Sequence, residues 1–246
     1  MNQSFDIHEL VIAITVKQQN PSILTADFLK YTGIVPSDWE LSRPPVITNT
    51  AAQVVYKNGV SVVAEVNRII FAEMIANKEA NEVQIPAIAH KYIQTVKQMS
   101  YQGVGINLRG LAAYEQQNLS TRNYIFSKLL QPGAWQEFGS APAQASMRIV
   151  YTLDETQLYL DINEARLQYP DQTTKPAILF SANFTRAITQ EALTEPLVAM
   201  GALIDKWQDD VDILKELINT KFLDTQGYPI NTASTESSLF PSIVAD

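Results

Sequence analysis

The sequence contains no cysteine and only two histidines, His8 and His90, among its 246 residues. Without cysteine it cannot form disulfides, thiolate nucleophiles or cysteine-ligated zinc and iron–sulfur sites. No Gly-x-Ser-x-Gly elbow, Walker phosphate loop or His-Glu-x-x-His motif is present. These absences remove common catalytic and metal-binding signals. We therefore predict no catalytic residue, no cofactor and no metal.

Long apolar runs are also missing. No window approaches the ~18 consecutive apolar residues that a membrane-spanning helix requires. The acidic and polar start, Met1–Glu9, differs from a secretory signal, which is basic and then apolar. Hydrophobic residues nevertheless make up 46% of the chain, which is enough to bury a core. We expect a soluble, cytoplasmic protein that does not bind membranes.

Positive charge is scarce. Eighteen Lys and Arg residues face 26 Asp and Glu residues, a formal net charge of −8, which argues against binding to nucleic acid or to an anionic membrane. Part of the acidic excess lies close together, in Asp205, Asp209, Asp210, Asp212 and Glu216. Helical spacing predicts the solvated face of a helix for this segment. An acidic docking surface for a basic partner is the alternative.

Five short matches, in one order, relate the first 100 residues to the following part of the chain. The matched segments are 36–39 with 132–135, 54–56 with 149–151, 65–67 with 161–163, 69–71 with 178–180, and 86–88 with 196–198. Self-similarity of this kind indicates an internal duplication. We predict a first repeat at 1–100, a second at 101–223 with an insertion near 164–177, and a flexible C-terminal tail at 224–246.

Both repeats have the pattern of a β-α-β-β-β-α unit. Predicted strands are 7–16, 53–56, 60–67 and 69–75, and then 104–113, 148–152, 157–163 and 177–184. Predicted helices are 24–31 and 86–99, and then 121–130 and 196–222. Alternating apolar residues at 60–66 and 158–162 predict strands with one buried face, and Asn58-Gly59 predicts a hairpin. We therefore expect an α+β fold, a largely antiparallel sheet with helices on one face and pseudo-two-fold symmetry.

The repeated acid-x-Asn pair is the best candidate for a binding site. It comprises Glu65 with Asn67 in the first repeat and Asp161 with Asn163 in the second, and Arg68 and Arg166 lie nearby. If a two-fold axis relates the repeats, these groups could line a shared groove and bind a small ligand. The plainer interpretation is the solvent face of strands, where acids and arginines form cross-strand ion pairs.

Several other residues have structural interpretations. Trp39 and Trp135 each follow a proline by three residues, and we expect both to plug an end of the core. Gly103 and Gly105 are expected to close the preceding helix. His90 has no acid at helical spacing and therefore lacks a catalytic partner.

The C-terminal tail is rich in Ser and Thr before it turns apolar at Leu239, Phe240, Pro241, Ile243 and Val244. A polar tether before an apolar end is typical of a docking peptide. It could bind a partner, add a strand to a neighbouring subunit's sheet, or fold back over its own sheet. The sequence leaves all three open.

We favour a non-catalytic binding or scaffold protein that acts through protein–protein contacts. Because a wide sheet has edges that need cover, we expect a protein partner or self-association, and a homo-oligomer. The alternative is an enzyme or small-ligand binder that uses the groove between the repeats.

Overall fold

The computed structural model describes residues 5–113, 124–130, 133–140, 144–154, 156–168, 172–189, 194–223 and 242–244. The strands are β1 (Asp6–Val16), β2 (Val46–Ile47), β3 (Ala51–Val55), β4 (Ser61–Glu65), β5 (Arg68–Met74), β6 (Tyr101–Ala113), β7 (Met147–Thr152), β8 (Gln157–Gln168), β9 (Thr174–Ala187) and β10 (Ser242–Val244). The α-helices are α1 (Ala26–Tyr31), α2 (Ile85–Thr95), α3 (Pro196–Asp205) and α4 (Trp207–Leu217). Two π-helical segments, Ile125–Leu129 and Ile218–Leu223, accompany them.

All ten strands belong to one sheet, in the order β10-β8-β9-β6-β1-β5-β4-β3-β2, with β7 paired to β8 as well. Every pairing is antiparallel. The predicted α+β class and antiparallel sheet are therefore confirmed. β1 and β6 meet in the middle, with Ile12 opposite Ile106. The strands before β6 form one half of the sheet, and β6–β10 form the other.

One face of the sheet carries the main core. In β1, the side chains of Leu10, Ile12, Ile14 and Val16 are fully buried, as the period of two in a half-buried strand requires. On the same face, Phe71 of β5 packs edge-to-face against Tyr92 of α2, with 5.6 Å between ring centroids. In the second half, Phe180 of β9 packs against Phe222 in the same way at 5.8 Å. Both contacts place helical segments on this face.

A buried carboxylate fixes the start of α2. Glu73, on the buried face of β5, accepts hydrogen bonds from the backbone N–H groups of Gln84 (2.8 Å) and Ile85 (3.0 Å). Its other oxygen accepts a 2.7 Å bond from Nζ of Lys78. The first N–H groups of a helix have no partner within the helix, so a strand side chain supplies one. Glu73 thereby ties α2 to the sheet.

Three expectations about element boundaries differ from the structure. β8 continues to Gln168 and β9 begins at Thr174, so most of the segment 164–177 lies in these two strands. The predicted helix 196–222 is broken at Lys206, between α3 and α4. The expectation that Gly103 and Gly105 close a helix is wrong, because α2 ends at Thr95 and both glycines lie inside β6.

Position 103 of β6 requires glycine, because the neighbouring strand leaves no room for a side chain. A Cβ atom at this position would be 2.4 Å from the backbone oxygen of Arg186 in β9. At Gly105, two residues along, the nearest atom to such a Cβ is Oδ1 of Asn183, at an ordinary 3.5 Å. Close strand approach therefore explains the first glycine but not the second.

We predict that Gly103→Ala lowers the free energy of unfolding by about 1–3 kcal/mol, because the strands must shift to accept the methyl group. The matched variant Gly105→Ala should change it by less than about 1 kcal/mol. Urea unfolding monitored by circular dichroism measures both. Equal effects of the two variants would show that the close approach at Gly103 does not constrain the sheet.

Candidate functional site

Glu65 and Arg68 form a local ion pair across the turn between β4 and β5. Nε and one terminal nitrogen of Arg68 donate to the Glu65 carboxylate at 2.7 and 3.2 Å. The backbone oxygen of Asn67 in the same turn accepts a 2.9 Å bond from the N–H of Val16. The side chain of Gln19 donates to the backbone oxygens of Glu65 and Arg68 at 2.6 and 2.8 Å. These contacts fix the turn against the end of β1.

Asp161, the acid proposed from the second half of the chain, also forms an ion pair. Asp161 in β8 accepts two hydrogen bonds from Arg148 in β7, at 2.6 and 2.8 Å. This is the cross-strand ion pair that the plainer interpretation describes. Asn163 lies two residues farther along β8, and Arg166 is the register partner of Val244 in β10.

The structure does not bring these two groups together. β4 and β8 are separated by β5, β1, β6 and β9. Five spacings of ~4.8 Å place the two strands about 24 Å apart across the sheet. A single small ligand cannot touch both Glu65 and Asp161 at that separation. The six residues proposed from the sequence therefore do not line one shared groove.

The sheet face opposite the helices, here called the open face, is aliphatic in its first half. Six partly exposed side chains lie there as neighbours: Val11, Ala13, Val55, Val63, Ile70 and Ala72. Cross-strand register joins five of them, since Val11 is opposite Ala72 and Ile70 lies between Ala13 and Val63. Val55 is opposite Ser61 and is a diagonal neighbour of Val63. We call these six residues the aliphatic patch. The aliphatic patch is not among the sites predicted from the sequence, although Val11 and Ala13 make β1 apolar on both faces.

In the second half, the part of the open face next to the aliphatic patch is polar, whereas Leu111, Ala165, Leu167 and Ala177, farther along the strands, are buried in a second, smaller apolar cluster. Asn107, Asn183 and Tyr159 form one row across β6, β9 and β8. In the next row Arg109 reaches Glu9 of β1, with 3.3 Å between nitrogen and oxygen. On the open face the aliphatic patch thus borders an amide-rich and charged region, and the two regions have different binding chemistry.

A buried ion pair ties the helices to the end of β9. Arg186 donates two hydrogen bonds to Asp210 of α4, at 2.6 and 2.7 Å, and both residues are buried. Burial raises the pKa of the Asp210 carboxyl, because loss of water penalises the charged form, and the Arg186 guanidinium opposes that rise. The expectation that Asp210 lies on a solvated helix face is wrong, since its partner comes from a strand.

A second polar link joins α2 to α3. Nε2 of His90 lies 2.7 Å from Oδ1 of Asp205, so His90 has a partner, 115 residues away in the chain, that helical spacing could not show. A Cβ atom on Gly201 would be 3.1 Å from the His90 ring. The glycine therefore lets the two helices approach closely.

The two Pro-x-x-Trp segments have different surroundings. Trp39 packs against the core and stands edge-to-face to Tyr56 at 5.1 Å. Trp135 is 50% exposed and stacks on Phe126 at 5.6 Å. The expectation of a core plug is confirmed for Trp39 and wrong for Trp135. Burial also raises the pKa of Tyr56 to about 12, and its hydroxyl has no hydrogen-bond partner among the described residues.

Part of the C-terminal tail lies against its own chain. β10 pairs with residues 166–168 of β8. Its residues include Ile243 and Val244 of the predicted docking end, whereas Leu239, Phe240 and Pro241 lie outside the described residues.

Within the described ranges, no group of three or more His, Asp or Glu side chains could hold a metal ion. Over the same residues, no helix is both long and apolar enough to cross a membrane. Comparison of the chain with models of known protein families and with curated proteins finds no match. The candidate site therefore rests on the geometry of the open face and of the sheet edges.

We predict that Asp210→Ala lowers the free energy of unfolding by about 3–5 kcal/mol, because it leaves the Arg186 charge buried without a partner. The control Asp209→Ala removes a neighbouring carboxylate that pairs with Lys206 at the surface, and should cost less than about 0.5 kcal/mol. Urea unfolding midpoints measure both changes. Similar small shifts would contradict the structural role of the pair. If Asp210→Ala does not fold, the double variant Arg186→Met, Asp210→Leu, which removes both charges, should fold.

Proposed function

We propose that this protein is a non-catalytic binding or scaffold protein that presents the open face of its sheet to a protein partner. The observation that supports this most is the aliphatic patch. Six aliphatic side chains remain partly exposed on a face to which no described helix packs. Contiguous exposed apolar surface is characteristic of protein interaction sites.

The ionisable groups near the patch support binding over catalysis. Glu65 and Arg68 neutralise each other at one end of the sheet, and Glu9 pairs with Arg109 beside the patch. Catalytic carboxylates usually stand in a desolvated pocket, where their surroundings separate their pKa values. Here the acids are engaged in ion pairs near solvent, so the open face offers contact area and a charged rim. A partner with an apolar face bordered by polar groups would match it.

We also propose that the chain arose by internal duplication. Outward from the middle of the sheet, the order β6-β9-β8-β7 repeats the order β1-β5-β4-β3, as two copies of one unit around a two-fold axis would. The helices α2 and α3 follow the corresponding strands β5 and β9. We attribute the different surroundings of Trp39 and Trp135 to later divergence between the copies. The same divergence explains why the open face differs between the two halves of the sheet.

We predict that Ile70→Lys weakens partner binding at least about ten-fold, because it places a charge at the centre of the aliphatic patch. The matched control is Val198→Lys, at an exposed position of α3 on the helix side. Cross-linking in native extract followed by mass spectrometry gives the bound protein and the linked residues. The wild type and Val198→Lys should yield the same partner, with cross-links on the open face, and Ile70→Lys should lose it.

Retention of that partner by Ile70→Lys, or cross-links confined to the helix side, would contradict the proposal. A thermal-shift screen with metals, nucleotides and sugars tests the alternative class of function. A compound that stabilises the wild type and Ile70→Lys equally would favour a ligand site away from the patch.

A further inference from the structure

The two edges of the sheet are protected to different degrees. At the first edge, β2 pairs with Ala52 and Gln53 of β3, and Leu41 forms a bridge to Tyr56 just beyond it. β2 itself has only two residues and follows Pro44-Pro45. Prolines and very short strands are the usual means by which proteins stop sheet edges from pairing with other chains.

The edge of the second half lacks these features. β7 pairs with β8 along its inner side, and no strand of the described residues pairs with its outer side. Its six residues, Met-Arg-Ile-Val-Tyr-Thr, contain no proline and are mostly β-branched, aromatic or long apolar residues. Val150 at its centre is 50% exposed. A regular strand with unpaired N–H and C=O groups is a template for strand addition.

We propose that β7 pairs in antiparallel orientation with β7 of a second copy about a two-fold axis, so that two sheets become one continuous sheet. This inference rests on the proposed function, because it names a second copy of the chain as one of the partners. A two-fold axis through an antiparallel strand pair is self-complementary, since each residue that contacts another is contacted by it in return.

Charge at the two ends of β7 favours this orientation. Arg148 lies near the start of the strand, where its exposed guanidinium also binds Asp161 of β8, and Asp154 lies two residues beyond the end of the strand and is exposed. Antiparallel pairing brings the Arg148 end of one copy to the Asp154 end of the other. Parallel pairing would instead place Arg148 beside Arg148, and like charges directly opposite are destabilising.

The register that places Arg148 opposite Asp154 is centred on Tyr151. It also sets Val150 opposite Thr152 and Ile149 opposite Leu153, which are β-branched and aliphatic pairs that suit cross-strand packing. Because an edge-to-edge contact covers less area than a standard interface, we expect a dimer with a dissociation constant on the order of 1–100 µM.

Sedimentation velocity over a range of concentrations tests the proposal. The monomer has a mass of 27.4 kDa, and the wild type should shift towards twice that mass. Val150→Lys should raise the dissociation constant at least about ten-fold, since a lysine at the edge opposes strand pairing. Val46→Lys is the matched control, because Val46 in β2 is 51% exposed at the opposite edge, and it should dimerise like the wild type.

A monomeric wild type at concentrations up to about ten times the upper end of the expected range would overturn the proposal. So would dimerisation of Val150→Lys equal to that of the wild type. Circular dichroism of Val150→Lys verifies that the monomer is folded. If Val150→Lys does not fold, cross-linking of Tyr151→Cys decides whether β7 pairs with β7 of a second copy.

The absence of cysteine from the chain makes a single-cysteine experiment specific. Directly opposite residues in an antiparallel pair have Cα atoms about 4.5–5.5 Å apart, which a disulfide can bridge. Under mild oxidation Tyr151→Cys should cross-link into dimers, and Val46→Cys should stay monomeric. No cross-link at 151, or equal cross-linking at both positions, would overturn the proposed register.

The chain's own tail is the competing occupant of this edge, because β10 already lies beside β7 on β8. A variant that lacks residues 237–246 should dimerise like the wild type. Loss of the dimer would assign the contact to the tail and overturn the β7 pairing. Ile70→Lys lies on β5, which four intervening strands separate from β7, and it should leave the dimer intact. Failure of this inference and failure of the proposed function are therefore distinguishable.

Discussion

The antiparallel pairing of β1 with β6 is the contact on which the rest of the structure depends. It runs from Asp6 opposite Leu111 to Val16 opposite Tyr101 and joins the two halves of the chain in one sheet. Gly110 lies beneath the ring of Phe5, where a Cβ atom would be 2.2 Å away. Because this pairing aligns the buried faces of both halves, the main apolar core forms beneath the helices. On the opposite face a smaller cluster around Leu111 and Ala177 is buried, and the aliphatic patch stays partly exposed.

Local patterns predict the elements of this fold, whereas long-range partners are not visible in them. Alternation in 60–66 and 158–162 and the Asn58-Gly59 turn predict the strands and a hairpin correctly, because these signals act over a few residues. Helical spacing predicts a solvent-exposed Asp210, because its partner, Arg186, lies in a different element and is not visible in the local pattern. The proposed ligand residues share a sequence pattern, but the sheet order sets them four strands apart, and sequence offsets do not determine that order.

We propose the open face and the β7 edge as the contact surfaces of the protein. Several of its acidic and basic side chains form ion pairs, and some fix turns and helices, as Glu73 fixes the start of α2. The surfaces available for contacts are the aliphatic patch, the polar side chains beside it, and the β7 edge. The β7 edge lacks the protection found at β2. An apolar surface for one partner and an edge for a second copy can be occupied together, because β7 lies at the far side of the sheet from the patch.

Native-state amide hydrogen exchange tests most directly the claim that β1 and β6 join the halves into one cooperative unit. The slowest amides report the free energy of global unfolding, and separately folding units report separate values. We expect the slowest amides to lie in β1 and β6, and the core amides of β5 and β9 to exchange with the same free energy within about 1 kcal/mol. Faster exchange of the whole second half, with β1 still protected, would contradict it.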